Sequence, residues 1–329
     1  LTFGESTFVS FKTQLERSMH PLNLSPLELD TYGNIFSYMG LPLSRDLTNP
    51  NIDAFIMGIP FDLATTGRSG TRYGPNAVRQ ASAQLRWEAQ RWPWQFTLSD
   101  QYQAADYGDL VWELSSGHDM FDVVQKNAEQ IIESGKTVVS IGGDHVVALP
   151  LLRAHAKKYG ALALIHFDAH TDNEQDDNEL NHGSMFFHAE NEGIIDPAHS
   201  IQVGIRTEYT RATHNLKVLD ADYVNNHGVE KVIADIKERV GDQPAYLSFD
   251  IDCLDPAFAP GTGTPVAGGL SSNQALQIIR GLQGINIVGL DLVEVAPSYD
   301  HAEVTSLAAA TLLLDMLHVL AANKASAAS

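Results

Sequence analysis

The chain has 329 residues, 44% of them hydrophobic and 19% charged, which is enough to bury a full core and too few charges to favour disorder. Its formal net charge of −20 repels nucleic acid and anionic membranes, so neither is expected as a partner; small cations and divalent metals fit this field. A single cysteine, Cys253, excludes an internal disulfide and points to a reducing, cytoplasmic location.

In chain order, Leu1 to Arg17 lacks a basic segment followed by an apolar run, so no secretory signal is expected. Residues 1–50, with Pro21, Pro26, Pro42 and Pro50, read as an arm or cover and not as an independent domain. Residues 51–329 read as one domain. Within it, Ala54–Ile59, Thr137–Ile141, Ala161–Phe167, Ser200–Ile205, Tyr246–Ile251 and Ile285–Val295 have the length and β-branched content of strands. Helical patterns alternate with them at Pro75–Gln90, Asp119–Ser134, Val146–Lys158, Val229–Val240 and Ser272–Leu282. A last alanine- and leucine-rich helix is expected over about Glu303–Ala322. Pro75 suits a helix start, and Gly135 and Gly284 suit helix ends. No apolar stretch approaches the ~20 residues of a membrane span. The alternation predicts an α/β fold with a mostly parallel sheet and helices on both faces, which binds ligands beyond the carboxyl ends of its strands.

Three polar clusters end three predicted strands: Ser140-Ile-Gly-Gly-Asp-His145, His166-Phe-Asp-Ala-His-Thr-Asp172 and Ser248-Phe-Asp-Ile-Asp-Cys-Leu-Asp-Pro256. Asp168, His170 and Asp172 are spaced by two, so an extended backbone points them to one side; Asp250 and Asp252 repeat the device. One Asp-x-Asp at a strand end is ordinarily a turn or a helix cap. Several such carboxylates buried together are costly unless a cation neutralises them. The oxygen-rich set, without thiolates, favours Mn²⁺ over structural zinc, and so many anionic ligands point to two ions sharing carboxylates. Two ions ~3.5–4 Å apart activate water as a nucleophile at neutral pH.

These segments resemble the ureohydrolase family of arginases, agmatinases and related guanidino-acid hydrolases. The resemblance runs from about Asp53 onward and includes Gly67-Arg-Ser-Gly-Thr-Arg-Tyr-Gly-Pro75 with Arg79, and Ala259-Pro-Gly-Thr-Gly-Thr-Pro265 with Gly268-Gly269. Leu151-Leu-Arg-Ala-His-Ala-Lys157, Asn181-His-Gly-Ser-Met-Phe186 and Asp291-Leu-Val-Glu-Val-Ala-Pro297 are similar to bacterial agmatinases. It implies a three-layer α/β/α sandwich, a pair of Mn²⁺ ions, and a homo-oligomer, trimer or hexamer. It assigns His145, Asp168, Asp172 and Asp250 to one ion and Asp168, His170, Asp250 and Asp252 to the other. It implies His182 as the proton-shuttling histidine, Glu294 as the carboxylate that holds a substrate guanidinium, and Thr264 as its support. The expected reaction is hydrolysis of a guanidinium compound to an amine and urea, with Asp168 counted among the catalytic residues.

The substrate is read from the segment Asn173-Glu-Gln-Asp-Asp-Asn-Glu-Leu-Asn181 before His182. The resemblance places Glu174 where arginases use Asn for the amino acid head group. Four acidic residues there disfavour an α-carboxylate and suit a terminal ammonium, which makes agmatine the expected substrate; they would equally be solvated on an acidic surface. A guanidino acid is the alternative, with Arg68, Arg72 or Arg206 for its carboxylate. A non-catalytic metal-binding scaffold is a third, disfavoured by the intact ligand set.

Overall fold

The protein is described from a computed structural model, which covers residues 33, 35–87, 90–112 and 117–327. The expected arm therefore lies largely outside the described residues. From Ser37 onward its described part packs against the body: the Tyr38 hydroxyl donates to the Ala310 carbonyl (2.6 Å), and the Tyr38 N–H to Asp106 (2.8 Å).

Eight strands form one parallel sheet: β1 (Ala54–Gly58), β2 (Ala104–Asp109), β3 (Thr137–Ile141), β4 (Ala163–Phe167), β5 (Ile201–Ile205), β6 (Lys217–Asp220), β7 (Ala245–Asp250) and β8 (Ile287–Val293). Their order is β2-β1-β3-β8-β7-β4-β5-β6. The chain leaves β3 and crosses to β4 on the far side of β8 and β7, so the sheet changes winding direction at its centre. Strands buried on both faces need apolar residues at consecutive positions, which is why Ala54–Gly58 reads as an unbroken apolar run and the interior of Thr137–Ile141 as one interrupted only at Ser140. Two strands were not expected. β2 contains Gly108 and two aspartates; Arg79 neutralises Asp106 through Nε (2.8 Å) and Nη2 (3.0 Å) in the interior. β6 is a four-residue edge strand.

The helices are α1 (Gly74–Ser82), α2 (Leu98–Gln101), α3 (Gly117–Glu133), α4 (Ala148–Tyr159), α5 (Met185–Asn191), α6 (Ala221–His227), α7 (Val229–Val240), α8 (Ser272–Gly281) and α9 (Val304–Ala327). Pro75 stands in the first turn of α1, and Gly135, at φ +82°, follows the end of α3. Ser271 and Gln274 form a reciprocal cap on α8. Apolar residues of α1, α6, α7, α8 and α9 pack on one face of the sheet, those of α3, α4 and α5 on the other, which gives the expected three layers. Contrary to the expectation from the sequence, α9 is long and apolar enough to span a membrane by length and composition. Of its most apolar window, 78% is buried inside the fold, as in a core helix. Its buried Asp315 accepts from Trp94 Nε1 and Arg280 Nε, each at 2.8 Å.

The two faces differ in chemistry. Val139, Ile165, Val203, Leu247 and Leu290 belong to the apolar face beneath α1 and α6–α9. The alternate positions Ser140, Asp291, Ser248, His166 and Gln202 turn to the α3–α5 face. They lie in one row across β3, β8, β7, β4 and β5: Ser140 pairs with Asp291, Asp291 with Ser248, Ser248 with His166, and His166 with Gln202. All five are fully buried.

Candidate metal centre

The carboxyl ends of the four central strands β3, β8, β7 and β4 deliver the candidate residues. After β3 the chain turns at Gly142-Gly143, where a Cβ on Gly143 would lie 1.7 Å from the Phe61 carbonyl oxygen. Only glycine allows this approach. Asp144 then accepts from the amides of Ala64 (2.9 Å) and Val146 (3.2 Å), so it ties two loops together and starts the short turn that carries His145. After β4 the expected extended Asp-His-Asp run does not form. The backbone bends at 169–170, and Asp172 takes φ +48°. The bend sends Asp168 and Asp172 toward His145 and swings His170 toward Asp252. After β7, Asp250 Oδ1 accepts from the Asp252 amide (2.7 Å), closing a single helical turn.

His145 Nδ1 lies 2.9 Å from Asp172 Oδ2, 3.1 Å from Asp168 Oδ2 and 3.4 Å from Asp250 Oδ2. His170 Nδ1 lies 3.1 Å from Asp252 Oδ2 and 3.3 Å from Asp168 Oδ1. Asp168 thus belongs to both groups. His166, left out by the sequence reading, also stands at ligand distance of His145, Asp168 and Asp172.

Whether a cation fits is decided at His145. Ser248 Oγ gives its proton to Asp291 Oδ1 (2.7 Å) and therefore accepts from His145 Nε2 (2.7 Å). That fixes the ring proton on Nε2. Nδ1 is left buried, without a hydrogen bond, its lone pair among three carboxylate oxygens. Lone pairs facing lone pairs in a dry site call for a cation between them. The titration tendencies agree. Burial, then the charge of Asp168, pushes Asp172 up to about 7, and burial with Asp252 and Asp168 raises Asp250. Burial alone would lower His145; the three surrounding carboxylates outweigh it and raise the ring well above the ordinary imidazole range. Without a cation, protons must take its place.

Next to this cluster, Glu294 follows β8 in left-handed backbone, φ +65°. A non-glycine residue in that conformation is held by its surroundings and is frequent at functional sites. Its Oε1 accepts from the His145 amide and from His182 Nδ1, each at 2.9 Å. Its Oε2 is buried without a partner, beside Gly263. The Thr66 amide donates to His182 Nε2 (3.0 Å), which places the ring proton on Nδ1. Burial lowers the His182 pKa, but the Glu294 carboxylate holds it up at about 9; a second proton would have to displace the Thr66 N–H. The fixed amide decides the resting tautomer.

A sequence profile described as the arginase family matches residues 52–318. The chain belongs to the arginase family. It is 53% identical to an agmatinase of Photorhabdus laumondii over 291 residues, covering 88% of this chain and 94% of the relative. It is 54% identical to an agmatinase of Edwardsiella ictaluri, with 88% and 95% covered. The crystal structure of a hypothetical agmatinase from Burkholderia thailandensis superposes with a TM-score of 0.87 at 49% identity, covering 90% of this chain and 94% of that one.

The remaining candidates of the sequence reading sit differently from one another. Thr264 donates to Asp252 Oδ2 (3.2 Å), so it steadies a cluster carboxylate, not Glu294. Glu174 is exposed; its amide donates to the Gly183 carbonyl (2.9 Å), which sets it beside the His182 loop at the rim. Of the three arginines considered for a substrate carboxylate, Arg72 is bound to Asp62 (Nε to Oδ1, 2.5 Å). Arg206 is spent on the carbonyls of Asp252 (2.6 Å), Val266 (2.8 Å) and Gly204 (3.0 Å). Arg68 is exposed and stacks on Tyr299. Thr66, Ser248 and Asp291 bear on the site and had no assigned role in the sequence reading.

Proposed function

We propose that the chain hydrolyses agmatine to putrescine and urea at a pair of Mn²⁺ ions. His145, Asp168, Asp172 and Asp250 would hold one ion and Asp168, His170, Asp250 and Asp252 the other. When bound, the pair supplies Lewis acidity that brings the pKa of water near neutrality. The observation that carries the reading is the buried, unpartnered Oε2 of Glu294 next to the carboxylate cluster. A guanidinium N–H satisfies that oxygen, and the ion pair fixes the plane of the guanidinium for attack. Oε1 is already held by His145 and His182, so the carboxylate is oriented before substrate arrives.

The guanidinium carbon gains the oxygen of water and loses its bond to the alkyl nitrogen. The proton the leaving nitrogen takes comes from the attacking water, and His182, linked through Nδ1 to Glu294, would pass it on through Nε2 once that nitrogen leaves the Thr66 N–H. Agmatine is preferred over a guanidino acid because Arg72 and Arg206 are engaged within the protein and only the exposed Arg68, stacked on Tyr299, is left of the three arginines, while Glu174 brings negative charge to the rim. The name borne by the relatives supports the same substrate. Urea release by the Mn²⁺-loaded protein from agmatine, arginine and 4-guanidinobutyrate tests the reading. Agmatine is expected to give the highest kcat/KM. Preference for guanidinobutyrate would overturn the substrate, and no urea from any of the three would overturn the enzyme.

A further inference from the structure

His166 stands at ligand distance of the cluster, so its role has to be decided from its own hydrogen bonds. Gln202 Nε2 donates to the Thr171 carbonyl (2.6 Å), an atom that can only accept, which fixes the orientation of the amide. The same nitrogen meets His166 Nδ1 at 2.9 Å. Nδ1 therefore accepts, the proton of the neutral ring sits on Nε2, and Nε2 donates to Asp168 Oδ2 at 2.8 Å. A nitrogen that carries a proton has no lone pair for a cation. The ring cannot turn easily: it is fully buried, with Phe186 4.6 Å and His145 5.1 Å away, centroid to centroid.

We infer that His166, held in one tautomer by Gln202, is a positioning residue that orients the Asp168 carboxylate, and is not a third imidazole ligand. The two imidazoles that face Asp168 Oδ2, His145 and His166, then have opposite duties, set by the same buried row. Ser248 draws the His145 proton to Nε2 and frees Nδ1 toward the ions; Gln202 leaves the His166 proton on the nitrogen facing the carboxylate. Asp168 Oδ1 takes the His170 amide at 2.6 Å and Oδ2 takes His166, so each oxygen is held from behind. The carboxylate common to both groups is where a fixed orientation matters to both ions.

The inference rests on the two-ion reading, and a Mn²⁺ titration of the full chain, read by the free-Mn²⁺ resonance signal, separates the two. His166→Leu keeps bulk and removes the donor; affinity is expected to fall about 10–100-fold with two ions still bound at saturation. His166→Gln returns an N–H near the Nε2 position without any imidazole lone pair, and should bind within about threefold of the parent. Parent-like affinity of the Leu variant would overturn the inference. So would saturation of both variants at one ion, the behaviour of a lost ligand. Should His166→Leu fail to fold, His166→Gln decides alone: near-parent binding supports positioning, and loss of one ion refutes it. Failure of the parent chain to take up Mn²⁺ would overturn the two-ion reading and the inference with it.

Discussion

The two faces of the central strands are built from the same backbone and are equally dry, yet they differ in purpose. On the face under α1 and α6–α9, Val139, Ile165, Val203, Leu247 and Leu290 pack as a continuous apolar layer. On the other, Ser140, Asp291, Ser248, His166 and Gln202 run across five strands at one level, just below the ligands. An apolar layer stabilises by area removed from water and has no preferred tautomers or donor directions. A buried polar row adds little net stability, because every group in it gives up water for its hydrogen bond. What it adds is direction, and direction is what a set of metal ligands needs. One face should therefore fail by unfolding and the other by losing its metals or its substrate.

The sharpest separation is expected at Glu294, which follows the strand carrying Asp291. Glu294→Gln keeps an oxygen for the His145 amide but removes the charge offered to a guanidinium. Loss of one partner of a buried charged pair costs about 2–5 kcal/mol, or about 30- to 4,000-fold in kcat/KM. Mn²⁺ content and thermal midpoint should stay near the parent values. A normal kcat/KM in a urea assay would remove Glu294 from the substrate site.

Leu247 and Ser248 are adjacent in β7 and point to opposite faces, so they test the comparison within one strand. Leu247→Ala should cost about 2–5 kcal/mol of folding stability in denaturant melts, with the folded fraction still binding two ions. Ser248→Ala takes a partner from Asp291 and from His145 Nε2, so about 1–3 kcal/mol of stability should go as well, but its distinguishing effect should be release of the His145 tautomer, weakening Mn²⁺ by about 10–100-fold. If the serine variant lost stability and kept its Mn²⁺ affinity, the polar row would be no more than packing.

That comparison also explains what could be read from the sequence. Strands packed on both faces give apolar runs, so β1, β3, β4, β5, β7 and β8 are legible in the sequence to within two residues at each end. β2 is not, because its Asp106 is tolerable only once Arg79 arrives from α1. The ligands were legible because they sit two apart at strand ends and match a family pattern. Their convergence was not, since the bend at 169–170 replaces the extended run. The polar row has its own signal in the sequence. One polar residue interrupts each apolar strand: Ser140 in β3, His166 in β4, Gln202 in β5, Ser248 in β7 and Asp291 in β8. Each looks like a local exception. Only the parallel register turns five exceptions, far apart in the chain, into one line.

The smallest effect is expected at the rim, where neither face reaches. Glu174 is exposed, and solvent and salt screen its charge, so its pull on an ammonium is worth at most about 1 kcal/mol. Glu174→Gln should therefore raise KM for agmatine by no more than about fivefold. Its kcat should not move, because the residue lies outside the carboxylate cluster. Added salt should erase the difference, since screening acts on a rim charge and hardly on a buried one. A salt-independent rise in KM, or a fall in kcat, would mean that Glu174 closes onto the bound substrate and belongs with Glu294 among the buried contacts.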